Sequence, residues 1–126
     1  MPENEERKRE IDLDSIKVAL QKREQRFLRP LVEELQPYDL GQVFFRLPTV
    51  YRSQFVRMLK PAEIALLLEE VESEEQQEIL STLGPERTSA ILNRMPSDKV
   101  ADLMGELDES IVRLLLRSME RDEADK

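Results

Sequence analysis

Apolar residues recur along this chain with a period of 12 positions. Counted in steps of 12 from Leu35, eight successive positions are apolar, and so are the positions eight and nine residues after each of the first seven. The three apolar columns are Leu35, Leu47, Leu59, Val71, Leu83, Met95, Leu107 and Met119; then Val43, Phe55, Leu67, Ile79, Ile91, Leu103 and Leu115; then Phe44, Val56, Leu68, Leu80, Leu92, Met104 and Leu116. Because no polar residue interrupts any column, the pattern indicates an internal repeat.

One continuous helix does not fit this period. An α-helix turns by about 100° per residue, so successive repeats would be rotated by about 120° and the columns would wind around the surface. The prolines favour a break in every repeat, because proline is tolerated in the first helical turn and not in the interior. Five of the seven prolines fall one or two positions after a repeat start: Pro37, Pro48, Pro61, Pro85 and Pro96. Each unit is therefore predicted to be a helix of roughly eight or nine residues followed by a tight corner.

Hydroxyl side chains predict the other helix starts. The third position of each repeat, two residues after its start, is proline in three repeats. In the other repeats this position holds Thr49, Ser73, Ser97 or Glu109. Serine and threonine accept hydrogen bonds from free backbone N–H groups at a helix start. Ser73, with Gln76 three residues later, matches the pattern of a capping box.

Upstream of the repeats, the pattern is less regular. Asp14 or Ser15 is expected to cap a first helix. The segment Phe27 to Leu35 resembles a degenerate first repeat, and Pro30 is expected to kink it or to mark where its helix begins.

Short helices of this kind are marginal alone and persist by stacking their apolar columns on neighbours, as solenoids do. The sequence therefore predicts an all-α superhelix, a solenoid of short helices with a 12-residue repeat, and the pattern does not fix its hand. Residues 1–11 are charged and poor in apolar residues, which predicts a flexible tail. The folded domain is predicted to cover residues 12–119, with residues 120–126 as a linker.

Length and charge narrow the class of protein. The chain has 126 residues, of which 37% are charged and 40% hydrophobic, and its formal net charge is −8. This length suits one domain. No apolar run approaches the roughly 18 residues of a membrane helix, and the first ten residues lack the apolar stretch of a secretory signal. The acidic balance argues against nucleic acid as a partner and favours cations or basic protein surfaces.

The lack of cysteine and histidine and the small number of glycines exclude most kinds of catalytic site. With no cysteine and no histidine, the chain has no disulfide, no Cys/His zinc site, no thiol nucleophile and no Ser-His-Asp triad. Three glycines in the whole chain exclude a glycine-rich phosphate loop. A carboxylate pair acting as acid and base stays open. We nevertheless expect a binding or regulatory module and not an enzyme.

Two acidic clusters stand out in the sequence. The first is typical of a solvated corner followed by acids that favour a helix N-terminus, and it comprises Glu69, Glu70, Glu72, Glu74, Glu75 and Glu78. The second is Asp98, Asp102 and Glu106, whose spacing places three carboxylates along one helix face. Their mutual repulsion would be relieved by a hard cation, and oxygen ligands suit Mg²⁺ or Ca²⁺. An ordinary solvated acidic face is the structural alternative.

Four stretches carry a resemblance to the N-terminal cytoplasmic domain of MgtE magnesium transporters. They are LQPYDLGQVFFRLP, LKPAEIALLLEEV, LGPERTSAILNRM and MPSDKVADLMGELDE, and the resemblance covers roughly residues 12–118. It implies a right-handed superhelix. It also implies that a pair of CBS domains, a connecting helix and a membrane bundle follow this domain in a homodimer that conducts Mg²⁺. None of those parts is expected in this chain, and residues 120–126 would lead toward the absent CBS pair.

The resemblance also implies a site and a role. The family's acidic ligands match Asp98 and Asp102 within SDKVAD, and Glu106 completes the stripe. Another acidic position of the family falls on Leu66, and Lys99 replaces a residue that is often acidic. The implied role is sensing of cytosolic Mg²⁺ at the interface with the CBS domains, which stabilises the closed pore. Half of each coordination shell would then be missing here, so the isolated chain should bind Mg²⁺ weakly.

Two function classes are therefore weighed. The favoured one is a regulatory domain of a magnesium transporter, on the cytoplasmic side of the membrane and soluble as a fragment. The alternative is a protein-interaction solenoid related to flagellar motor switch protein domains, without ion sensing. Such a protein would need an exposed apolar groove and would show no dependence on ions.

Overall fold

A computed structural model describes the backbone of residues 11–124 and the side chains up to Ser118. Within that part the chain forms nine α-helices and no β-strand, which confirms the all-α fold. The helices are α1 (Leu13–Lys22), α2 (Gln25–Glu33), α3 (Pro37–Arg46), α4 (Thr49–Met58), α5 (Pro61–Glu70), α6 (Ser73–Leu83), α7 (Pro85–Leu92), α8 (Ser97–Glu106) and α9 (Glu109–Ala124). The expected tail lies outside the described residues except for Ile11, and the last helix continues through most of the expected linker.

The helices from α3 onward follow the period of the sequence. Their first residues are spaced 12 apart: Pro37, Thr49, Pro61, Ser73, Pro85, Ser97 and Glu109. Three of these starts are prolines in the first helical turn, where the missing N–H and the fixed φ cost nothing. The superhelical arrangement of the units and its right hand stay predictions.

The predicted caps were placed one residue too late. Ser73 and Ser97 are the first residues of their helices, so the N-caps are Glu72 and Pro96, and neither makes a side-chain cap hydrogen bond. The capping box of Ser73 and Gln76 is wrong as well, because both side chains bind elsewhere. Ser73 donates to Glu106, and Gln76 donates to the carbonyl of Leu68.

The first helix is capped by a residue other than the two predicted ones. Asp12 is the N-cap of α1, and its carboxylate accepts hydrogen bonds from the backbone N–H of Ser15 at 3.1 Å and from the Ser15 hydroxyl at 2.7 Å. The expectation of Asp14 or Ser15 as the cap is therefore wrong. Pro30 does not mark a helix start, since it lies inside α2.

The apolar columns supply most of the core. Every member of the column that begins at Val43 and ends at Leu115 is buried. In the column that begins at Phe44, the first five members are buried, Met104 is partly exposed and Leu116 is 49% exposed. Burial of that whole column was expected. It fails toward the chain end because no later described helix covers α9.

The chain divides into two compact units, the first ending at Phe55 and the second beginning at Val56. In the described part of the first unit, α1 packs against α2. Its buried side chains include Ile16, Leu20, Leu28, Val32, Leu40, Val43, Phe44 and Phe55. This unit carries no part of the candidate site.

The second unit is organised around α7. That helix packs against α5, α6 and α9. Gly84 joins α6 to α7 with a φ of 82°, a backbone conformation that side chains disfavour and glycine permits. The core of this unit includes Ile64, Leu67, Leu68, Ile79, Leu80, Ile91, Leu92, Leu103 and Leu115.

In two repeats, the side chain at the fourth position of a helix donates a hydrogen bond to a carbonyl near the end of the preceding helix. Arg52 Nε donates to the carbonyl of Phe44 at 2.8 Å, and Gln76 Nε2 donates to the carbonyl of Leu68 at 2.8 Å. Donor and acceptor are eight residues apart in both cases. Because the last carbonyls of a helix have no partner within it, these bonds satisfy acceptors that the helix leaves open.

None of the helices in the described part of the chain is long and apolar enough to cross a membrane.

Candidate functional site

An acidic cleft opens in the second unit, with a cavity volume of about 300 Å³. We call it the acidic cleft and define it by its lining residues: Leu68, Glu69, Val71, Glu72, Gln76, Met95, Lys99, Asp102, Leu103 and Glu106. Four of these side chains are carboxylates, one is an ammonium and one is an amide. Its polar atoms are mostly oxygens, the ligands that hard cations prefer.

Helix α8 supplies three of the charged groups. It begins at Ser97, directly after Pro96, and it is anchored by Leu103, which is 3% exposed. Lys99, Asp102 and Glu106 follow at spacings of three and four residues, which places them on one face of the helix.

The opposite wall comes from the junction between α5 and α6. Buried Leu68 and Val71 anchor this junction, which leaves Glu69 and Glu72 exposed at the cleft. Gln76 lies one turn into α6 and is fixed by its bond to the carbonyl of Leu68. Its Oε1 atom is buried and has no hydrogen-bond donor among the described residues.

Two contacts join the walls of the acidic cleft. Ser73 Oγ donates to Glu106 Oε2 at 2.7 Å. Lys99 Nζ lies 3.9 Å from Glu69 Oε1, at the outer limit of an ion pair. A hydroxyl donor and an ammonium therefore both stabilise negative charge at this place.

Of the three predicted metal ligands, the structure brings two into the acidic cleft. Asp102 and Glu106 line it, whereas Asp98 is exposed on the first turn of α8 and is not among the lining residues. Asp98 is therefore open to solvent or to a partner surface, and its role as a ligand stays a prediction.

Three residues of the acidic cleft were not predicted to belong to a site: Glu69, Glu72 and Gln76. Both glutamates belong to the acidic cluster that was interpreted as a solvated corner. The signal that was available is that Glu69 follows three residues after Leu66, where the resemblance implies an acidic residue. Leu66 itself is 39% exposed and lies at the surface of α5.

The carboxylates of the acidic cleft are not grouped closely enough to surround an ion by themselves. Among the described residues, no three carboxylates are grouped so that they could hold a metal ion by themselves. Mg²⁺ keeps several water ligands and needs only one or two direct carboxylates. Asp102 and Glu106 can supply those, with Glu69 and Glu72 contributing charge at longer range.

Comparisons with known proteins give a consistent result. A family model described as the MgtE intracellular N domain matches residues 35–126. Over 99 residues the chain is 32% identical to the magnesium transporter MgtE of Bacillus subtilis strain 168, an alignment that covers 79% of this chain and 22% of that protein. The chain thus spans about a fifth of the length of this relative. No solved structure matches the chain significantly.

Proposed function

The chain belongs to the family of MgtE intracellular N domains, and from this premise we propose that it is the regulatory cytosolic domain of a magnesium transporter or channel. In this proposal it senses intracellular Mg²⁺ at an interface with CBS domains and stabilises the closed pore of a homodimer. Its role is related to transport and is not enzymatic. It would work on the cytoplasmic side of the membrane.

The acidic cleft is the observation that carries the sensing role. Asp102 and Glu106 on α8 face Glu69 and Glu72 from the α5–α6 junction across one cavity. Like charges held close together repel, and a divalent cation between them removes that repulsion. Oxygen ligands alone, without nitrogen or sulfur, favour Mg²⁺ or Ca²⁺ over transition metals.

The charge of the whole chain supports a shared site. A module with a net charge of −8 is held away from another acidic surface, and cations placed between the two draw them together. A ligand shifts a two-state equilibrium only by the difference in its affinity for the two states. We therefore place part of the coordination shell on the partner domain, with Asp98 as the exposed carboxylate that meets it.

The test is protease protection of the complete cytosolic region of the transporter across a Mg²⁺ titration. The parent is compared with an Asp98→Asn/Asp102→Asn double variant. A matched control, Asp14→Asn/Glu34→Gln, makes the same change of charge at exposed positions of the first unit. We expect the double variant to need more Mg²⁺ for protection, with parent and control superimposable. Identical curves for all three proteins would overturn the assignment of these two residues.

A further inference from the structure

Lys99 is a cation that the chain itself places in the acidic cleft. Its Nζ atom lies 3.9 Å from Glu69 Oε1, and its side chain shares the cavity with Asp102 and Glu106. The side chain is about half exposed, so the ammonium can leave this position without unfolding any part of the core. The ammonium is therefore a positive charge beside the Glu69 carboxylate, in a cavity that three further carboxylates line.

Gln76 is a second polar group at the same cavity, and it has an unused acceptor. Gln76 Oε1 is buried beside the same cavity and accepts no hydrogen bond from the described residues. A buried acceptor without a donor is costly unless water or a ligand supplies the partner.

We propose that Lys99 is a tethered competitor of Mg²⁺ and sets the concentration at which the acidic cleft fills. This inference rests on the proposed function, because it concerns the regulation of the same site. The ammonium neutralises part of the negative charge while the ion is absent. A divalent cation that enters must displace it or bind beside it, so the chain binds Mg²⁺ more weakly than its carboxylates alone would.

The direction in which the Kd for Mg²⁺ changes when Lys99 is replaced separates a competitor from a structural residue. If Lys99 only held α8 against α5 through Glu69, its removal would loosen the acidic cleft and weaken Mg²⁺ binding. If it competes, its removal strengthens binding, because the carboxylates then lack their internal counter-charge. The expected gain is between about threefold and tenfold in affinity, the latter equal to about 1.4 kcal/mol.

The experiment measures the Kd for Mg²⁺ from backbone amide shifts of the whole chain at physiological ionic strength. The test variant is Lys99→Met, with Lys99→Gln as a second neutral replacement in case the first folds poorly. Lys99→Arg keeps the positive charge and should bind like the parent. Lys17→Met makes the same change of net charge on α1, which belongs to the first unit and contributes no residue to the acidic cleft.

A tighter Kd in both neutral variants, with Lys99→Arg and Lys17→Met unchanged, supports the proposal. An unchanged or weaker Kd in the neutral variants overturns it. If the parent binds Mg²⁺ and loses this binding in Asp102→Asn/Glu106→Gln while the Lys99 variants match the parent, the competitor role alone fails. If neither the parent nor the neutral Lys99 variants respond to Mg²⁺, the inference and the proposed site fail together.

Discussion

Ser73 Oγ donates a 2.7 Å hydrogen bond to Glu106 Oε2, although the two residues are 33 positions apart in the chain. The bond joins the first residue of α6 to the last residue of α8. It holds the Glu106 carboxylate against the start of α6, beside the other wall of the acidic cleft. If the proposed site binds Mg²⁺, less side-chain entropy is lost on binding because Glu106 is already ordered, and this raises the affinity.

The apolar columns predict where truncation is costly. Leu92 is 1% exposed and Leu116 is 49% exposed, although both occupy the same column of the repeat. We expect Leu92→Ala to lower the free energy of unfolding by about 2–5 kcal/mol, the range for large-to-small changes in a core. Leu116→Ala, the matched control, should cost much less. Equal losses in urea unfolding would contradict the assignment of the core.

The guanidinium of Arg52 predicts a structural role for a charged residue. Besides Phe44, it donates to the carbonyls of Leu47 at 3.2 Å and of Phe45 at 3.0 Å, all at the end of α3. Because hydrogen bonds to charged groups contribute more than neutral ones, Arg52→Met should cost about 1.5–3 kcal/mol of unfolding free energy. Arg57→Met, an exposed change on the same helix, should stay within about 0.5 kcal/mol of the parent. Chemical denaturation of the parent and the two variants measures these losses. An Arg52→Met variant as stable as the parent would show that the end of α3 does not need these bonds.

We predict that removing the hydroxyl of Thr88 stabilises the fold. Its side chain is fully buried, and its hydroxyl has no hydrogen-bond partner among the described residues. Thr88→Val replaces that hydroxyl by a methyl group of similar size and should raise the unfolding free energy by about 1 kcal/mol. Thr82→Val is the contrast, since the Thr82 hydroxyl donates to the carbonyl of Glu78 at 3.0 Å. A loss of stability in Thr88→Val equal to that in Thr82→Val would mean that the Thr88 hydroxyl is satisfied in solution.

The cap of α1 predicts a dependence on pH. Hydrogen bonds from the Ser15 hydroxyl and backbone N–H lower the pKa of Asp12 from its ordinary value of 3.8. Because the pKa is lower in the folded chain, the ionised cap stabilises it above pH 3.8, and this contribution is lost as the pH falls through the lowered value. Asp12→Asn should therefore unfold at a lower temperature than the parent near neutral pH, with the difference shrinking in acid. Thermal unfolding of both proteins from neutral pH to below pH 3.8 checks this prediction. A difference in unfolding temperature that grows toward acid would contradict it.

Local chemistry explains which features of the fold could be predicted from the sequence. The helix starts at Pro37, Pro61 and Pro85 follow from the restricted φ of proline, which acts within one residue. The caps could not be assigned this way, because the hydroxyl of Ser73 binds a carboxylate from another helix. The exposure of Leu116 also depends on which helices surround α9, a property that its own repeat does not contain.

The candidate site, like the fold, could be predicted only in part from the sequence. The spacing of Asp102 and Glu106 on one helix was sufficient to predict that they share a face. Their neighbours Glu69 and Glu72 come from a helix junction about thirty residues earlier, and only the packing of the second unit brings them together. Asp98 has the right spacing as well, yet it does not line the acidic cleft.

The central claim is that this chain contributes a partial Mg²⁺ site, with Asp102 in the acidic cleft. The most direct measurement is a Mg²⁺ titration of the backbone amide shifts of the parent, of Asp102→Asn and of Asp98→Asn. The two variants change the net charge equally on the same helix. We expect shifts confined to the segments around residues 69–76 and 99–106, with a Kd on the order of 1 mM. Asp102→Asn should weaken binding severalfold and Asp98→Asn should leave it nearly unchanged. Binding in the micromolar range, or an Asp102→Asn curve superimposable on that of the parent, would contradict the account.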